Sequence, residues 1–178
     1  MLQRVVALAG RRVDAAEAKH VVFPLWKVPE VRRRVAAFLR ETTDTVLICA
    51  AACGADLIAL TEAEHIGMHS KIVLPYNPAD FKITSVTDRP GDWGHLFDHV
   101  VANAKASGNL IVLDEAVGTP EAYEAVNAEI LAQAEALDSR EKIVALVWDG
   151  SPRKSTDATA SLGRLATRHG FTRRDIQL

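Results

Sequence analysis

Five short apolar runs punctuate the chain: residues 4–9 (RVVALA), 45–50 (TVLICA), 71–75 (KIVLP), 109–113 (NLIVL) and 142–148 (KIVALVW). Each is rich in Val, Ile and Leu and continuous rather than alternating. That pattern predicts strands covered on both faces, as in a parallel sheet. Between the runs, apolar positions recur at helical spacing. Residues 29–42 place Val31, Val35, Phe38 and Leu39 on one stripe, with Pro29 in the first turn. Residues 55–66 are stopped by Gly67, and residues 93–107 by Gly108. A fourth, alanine-rich helix is predicted over 119–137, opened by Thr119 as cap, Pro120 and Glu121. A fifth covers 156–169 and ends at Gly170, and the tail 172–178 suits a short edge strand.

Strands alternating with helices predict an α/β fold with a single doubly wound, mostly parallel sheet of about five strands and helices on both faces. Residues 1–178 read as one domain, because no linker, repeat or low-complexity tract divides them. Two connections, 10–28 and 76–92, exceed the roughly 2–6 residues usual between a strand and its helix. Loops of that length are candidate walls of a site.

Composition narrows the function classes. Charged residues make up 25% and the formal net charge is −2, so no global basic field favours nucleic acid as a partner. Cys49 and Cys53 are the only cysteines and lack partners at zinc-ligand spacing, so no metal is expected. Cys49 reads as a core residue, and Cys53, opening a glycine turn, as one that could be exposed. No cofactor is expected. No secretory leader opens the chain and no apolar stretch approaches membrane-spanning length, so the expectation is a cytoplasmic protein without a membrane partner.

In open α/β sheets, ligands lie beyond the carboxyl ends of the strands. The most informative segment there is residues 48–63 (ICAAACGADLIALTEA), where a strand runs through small residues and Gly54 into a helix. Such a turn can cradle phosphate on backbone amides, or it can simply permit close packing. It lacks both the GxGxxG pattern and a P-loop lysine. Asp56 in its first turn suits the helix dipole better than an anion. A second segment carries Asp149 and Gly150, then Arg153, Lys154, Ser155 and Thr156 before a helix. Charge-assisted donors and hydroxyls at a helix start suit phosphate, while Ser155 or Thr156 could equally serve only as a cap. Gly10, Arg11 and Arg12 follow the first run, where an arginine could clamp phosphate or face solvent. Asp114 and Glu115 follow the fourth run, and either could bond ribose hydroxyls, act as a base or merely form an acidic turn.

Taken in order, these residues resemble the SLOG superfamily, which unites DNA-processing protein A (Smf) with the Lonely-guy phosphoribohydrolases. The resemblance, to its bacterial stand-alone and signalling branch, is carried by Ala9-Gly10-Arg11-Arg12, Phe23-Pro24, Cys53-Gly54-Ala55-Asp56 and Val73-Leu74-Pro75-Tyr76. Asp80-Phe81, Thr84-Ser85-Val86, Trp93 with Phe97, Tyr123 with Asn127, and Trp148-Asp149-Gly150 complete it. It implies a Rossmann-like sheet of strand order 3-2-1-4-5, with a crevice at the loops after strands one and four. It also implies nucleotides, nucleotide-derived messengers or, in the DNA-processing branch, single-stranded DNA as ligands, with Cys53, Gly54, Ser155 and Thr156 facing phosphate and Gly10 and Arg11 flanking the base or ribose. The chain departs from the Lonely-guy PGGxGTxxE run: Ser155 precedes Thr156 in place of glycine, and Thr159 stands where that run has its catalytic glutamate.

The leading expectation is therefore a nucleotide-binding domain, sensory rather than catalytic. One alternative is a hydrolase or transferase at the N-glycosidic bond of a nucleotide, using Asp114, Glu115 or Asp149 as its carboxylate. Another is a ligand-free interaction module, with the alanine-rich helix offering a face for a second copy of the chain.

Overall fold

The computed structural model describes residues 1–153 and 156–178. In chain order the elements are β1 (Leu2–Gly10), α1 (Val28–Leu39), β2 (Thr45–Cys49), α2 (Ala55–His65), β3 (His69–Leu74), α3 (Pro78–Ser85) and α4 (Trp93–Ala106). There follow β4 (Leu110–Val112), α5 (Pro120–Glu135), β5 (Ser139–Trp148), α6 (Ala158–Arg168) and β6 (Thr172–Gln177). The strands form one parallel sheet in the order β4-β3-β2-β1-β5-β6. This is the expected Rossmann-like α/β architecture, with six strands rather than about five. The sheet takes one further step outward, from β3 to the three-residue β4, before the chain returns. The strand on the far side of β1 is consequently β5.

The continuous apolar runs have their predicted cause. Val6 and Leu8 of β1 enter a core shared with α1, α2 and α4, whereas Val5 and Ala7 enter a second core under α5 and α6. Successive side chains point to opposite faces of a strand, so a strand covered on both faces is apolar at every position. From β1 to β4 the sheet grows in one direction with helices on one face. After β4, α5 lies across the opposite face and delivers the chain to β5. Right-handed crossovers require this change of face when the direction of growth reverses. The loops after β1 and β5 then leave toward opposite faces and open a crevice between them.

Several local details differ from the expectations. The segment 76–92 contains α3, whose start was written in Asn77-Pro78: the Asn77 side chain accepts the Asp80 amide at 2.9 Å and Pro78 opens the helix. The cap of α6 is Asp157 rather than Thr156, and its side chain accepts the Ala160 amide at 3.0 Å. Cys53 is buried, and burial pushes its thiol pKa up. Among the described residues, no helix is long and apolar enough to cross a membrane.

Gly10 ends β1 where β5 and α2 converge. A Cβ there would lie 2.7 Å from the Val147 carbonyl oxygen and would also strike the Ala55 Cβ. Both obstacles belong to backbone-anchored atoms, so Gly10→Ala is expected to lower stability by about 1–3 kcal/mol. Urea unfolding of the two proteins measures the difference.

Candidate functional site

A cavity of about 270 Å³ opens at the carboxyl ends of the central strands. Its floor is apolar, made by Leu8, Ala9 and Ala50 from the strand ends and Val126 and Ile130 from α5. Its polar wall holds four arginines, Arg11, Arg12, Arg89 and Arg153, against two aspartates, Asp56 and Asp157. The balance of ionisable groups in the lining is thus cationic if both carboxyls are charged, and more so if either is neutral.

The arginines do different work. Arg11 is only 4% exposed and all three of its guanidinium nitrogens donate to the protein. Nε reaches Asp149 at 3.1 Å, one terminal nitrogen reaches Asp157 at 2.8 Å, and the other the Ser151 carbonyl at 2.7 Å. Its planar group also lies 5.3 Å from the Trp148 ring centroid. Burial opposes the charge of Arg11, but the hydrogen bonds and charges of Asp157 and Asp149 outweigh it and raise the pKa. In the same way burial pushes Asp157 up, and the bonds from Arg11, Ala160 and Arg153 more than reverse it, leaving its pKa lowered.

Arg12 and Arg89 also line the cavity and share Asp88 as an ion-pair partner. Arg89 also donates to the Val13 carbonyl at 3.1 Å, joining the two long loops. Among the described residues the buried Nε of Arg12 has no hydrogen-bond partner. Opposite them, α5 contributes Asn127, which donates to the Ala158 carbonyl at 3.0 Å, and Tyr123, whose hydroxyl is 3.4 Å from those of Ser85 and Tyr76. Burial is the largest cause of a raised Tyr123 pKa.

The structure brings Gly10, Arg11, Arg12 and Thr156 of the expected site to this cavity. Lys154 and Ser155 lie outside the described residues. Cys53 and Gly54 do not line it. The Ala52 amide donates to Asp56 at 3.2 Å, that of Cys53 to the Ser85 carbonyl at 3.0 Å and that of Ala55 to the Arg11 carbonyl at 3.1 Å. Gly54, at φ 94°, packs against the Arg11 to Val13 backbone, where a Cβ would meet the Arg11 carbonyl at 2.7 Å. Close packing alone requires a glycine at this position.

Of the carboxylates offered for catalysis, Asp149 pairs with the lining residue Arg11 at 3.1 Å. Asp114 and Glu115 follow the edge strand β4, where the Glu115 amide donates to the carbonyl of the lining residue Pro75 at 3.0 Å. None of the three lines the cavity itself. Gly150 makes its turn at φ 79° but does not line the cavity. Sequence reading did not assign Arg89, Asp157, Tyr123 or Asn127 to the site. The last two carried a signal, being polar residues four apart on the stripe that also bears Val126 and Ile130. Asp56 was read as serving the helix dipole, yet it lines the cavity and burial raises its pKa to about 7.

No protein-family model matches the chain, and no curated protein is similar to it. Among solved structures, DNA processing protein A from Streptococcus pneumoniae is similar over 97% of this chain, with 15% identity and a TM-score of 0.46. The chain spans 58% of that protein's length.

Two outcomes follow from the site's charges. Arg11→Met leaves Asp157 buried without its cation and should cost about 3–5 kcal/mol, read by chemical denaturation. Asp56 has the opposite sign. Its folded pKa, about 7, lies above its ordinary 3.8, so its neutral form favours folding fully at low pH and that contribution is lost as pH rises toward 7. Asp56→Asn, which can still accept the Ala52 amide, should therefore be stabilising by about 4 kcal/mol above pH 8 and by much less near pH 5. Urea unfolding of both proteins at the two pH values checks the sign.

Proposed function

We propose that the protein binds a nucleotide or nucleotide-derived small molecule in the crevice between β1 and β5, as a sensor rather than a catalyst. The observation that carries this reading is the pairing, in one cavity at the sheet's switch point, of an apolar floor with an arginine-rich wall. A purine or pyrimidine ring needs apolar surface, and a phosphate needs charge-assisted donors. Arg12, Arg89 and Arg153 supply the donors, since Arg11 is engaged in holding the wall together. The cavity lies near the small end of the roughly 300–1,000 Å³ typical of ligand pockets, which favours a mononucleotide over a dinucleotide. The motifs that resemble the SLOG superfamily point to the same ligand class.

The preference for a sensor rests on the carboxylates. The three that the sequence offered for attack at an N-glycosidic bond lie outside the cavity lining. The net charge of −2 provides no global basic field for a nucleic-acid strand, so the reading rests on the local arginines and a small ligand.

Calorimetry and thermal shift against AMP, GMP, CMP, UMP, cyclic AMP and ADP-ribose test the reading. At least one should saturate, stabilising the fold by about 2.7 kcal/mol at a hundred times its dissociation constant. Arg12→Ala and Arg89→Ala should each weaken it roughly tenfold or more, as expected for a lost charge-assisted bond. If no member of the panel binds at millimolar concentration, the reading is wrong.

A further inference from the structure

Three acidic side chains are buried: Asp56, Glu62 and Asp157. Two of them hold a cation. Glu62 pairs with Arg32 at 3.1 Å and Asp157 with Arg11 at 2.8 Å. Asp56 is 7% exposed and, among the described residues, has no ion-pair partner within 4.0 Å. Its one hydrogen bond from those residues is the Ala52 amide at 3.2 Å, on Oδ2. Arg12, the cation whose charge acts on it, is turned to Asp88 instead. Asp56 is also the buried acid that lines the cavity without such a partner. A carboxylate held this way lacks the donors that normally offset its desolvation, and the cavity is where donors can arrive.

We infer that Asp56 reads the ligand's sugar: the pocket takes a ribose 5-phosphate unit whose hydroxyls donate to the open carboxylate oxygen while the arginines hold the phosphate. The inference rests on the nucleotide reading above and specifies its ligand. Above pH 7, where it is ionised, the Asp56 carboxylate only accepts hydrogen bonds and repels phosphate, so it faces a donor-bearing, uncharged part of the ligand. In a nucleotide, the donors nearest the phosphate are the vicinal ribose hydroxyls. The alternative donor, an amino group on the base, would leave ribose 5-phosphate unrecognised by Asp56.

The test is isothermal titration of the full chain at pH 8, where Asp56 is ionised, with AMP, ribose 5-phosphate, 2′,3′-dideoxy-AMP and inorganic phosphate. The wild-type protein should bind AMP roughly tenfold or more tightly than its dideoxy analogue, and ribose 5-phosphate more tightly than phosphate. In Asp56→Ala both ratios should collapse toward one, with binding of the dideoxy analogue retained or improved. Asp56→Asn keeps an acceptor for the Ala52 amide and should fold; its ratios should fall at least roughly threefold. Equal wild-type affinity for AMP and dideoxy-AMP overturns the inference and leaves the nucleotide reading standing. So do ratios unchanged in a folded Asp56 variant. Binding of none of the organic probes, nor of any nucleotide in the wider panel, overturns both.

Discussion

The buried guanidinium of Arg11 sets the geometry of the site. It joins the end of β1 to the turn after β5 through Asp149 and the Ser151 carbonyl, and to the start of α6 through Asp157. Asp157 in turn caps α6 and receives the Arg153 amide at 2.8 Å. Desolvating an ion pair is costly, and it is offset only when each donor and acceptor is matched with good geometry. Arginine suits this role because its planar fork presents several donors in fixed directions. One side chain thereby fixes the position of three segments that the sheet alone would leave free to splay.

That constraint divides the arginines by task. Arg11, nearest the strand end, is committed through all three guanidinium nitrogens to holding the wall, whereas Arg12 and Arg89 line the cavity with Asp88 as their shared ion-pair partner. Asp88 performs a similar service for Arg12 and Arg89, at ion pairs that are only partly buried and therefore more screened by water than those of Arg11. The strut and the more screened ion pairs are therefore built from the same residue type. Burial separates them.

The contrast between Asp157 and Asp56 follows the same logic. Both are carboxyls in the first turn or cap of a helix beside the cavity. Asp157 is surrounded by donors and its pKa is lowered, whereas Asp56 has burial as its dominant influence and its pKa is raised to about 7. One stabilises the fold as an anion; the other is costly to ionise. Groups that reduce stability while lining a cavity are characteristic of sites shaped for something other than the fold itself.

Much of the fold was legible in the chain because it is encoded locally. Continuous apolar runs reported strands covered on both faces, and Thr119-Pro120-Glu121 marked the start of α5, where the Thr119 side chain does accept the Ala122 amide at 3.2 Å. Asn77-Pro78 encoded α3 in the same local way, although the segment read as loop. The site was legible only as a region. The neighbour of β1 is decided by where the chain reverses across the sheet, and no residue within the runs specifies that. The partners of Arg11 arrive from 138 and 146 residues away, so its role as an internal strut exists only once β5 and α6 are in place. Periodicity reports which way a side chain faces relative to its own element. Which charges it meets there depends on distant segments, and that was settled by tertiary packing.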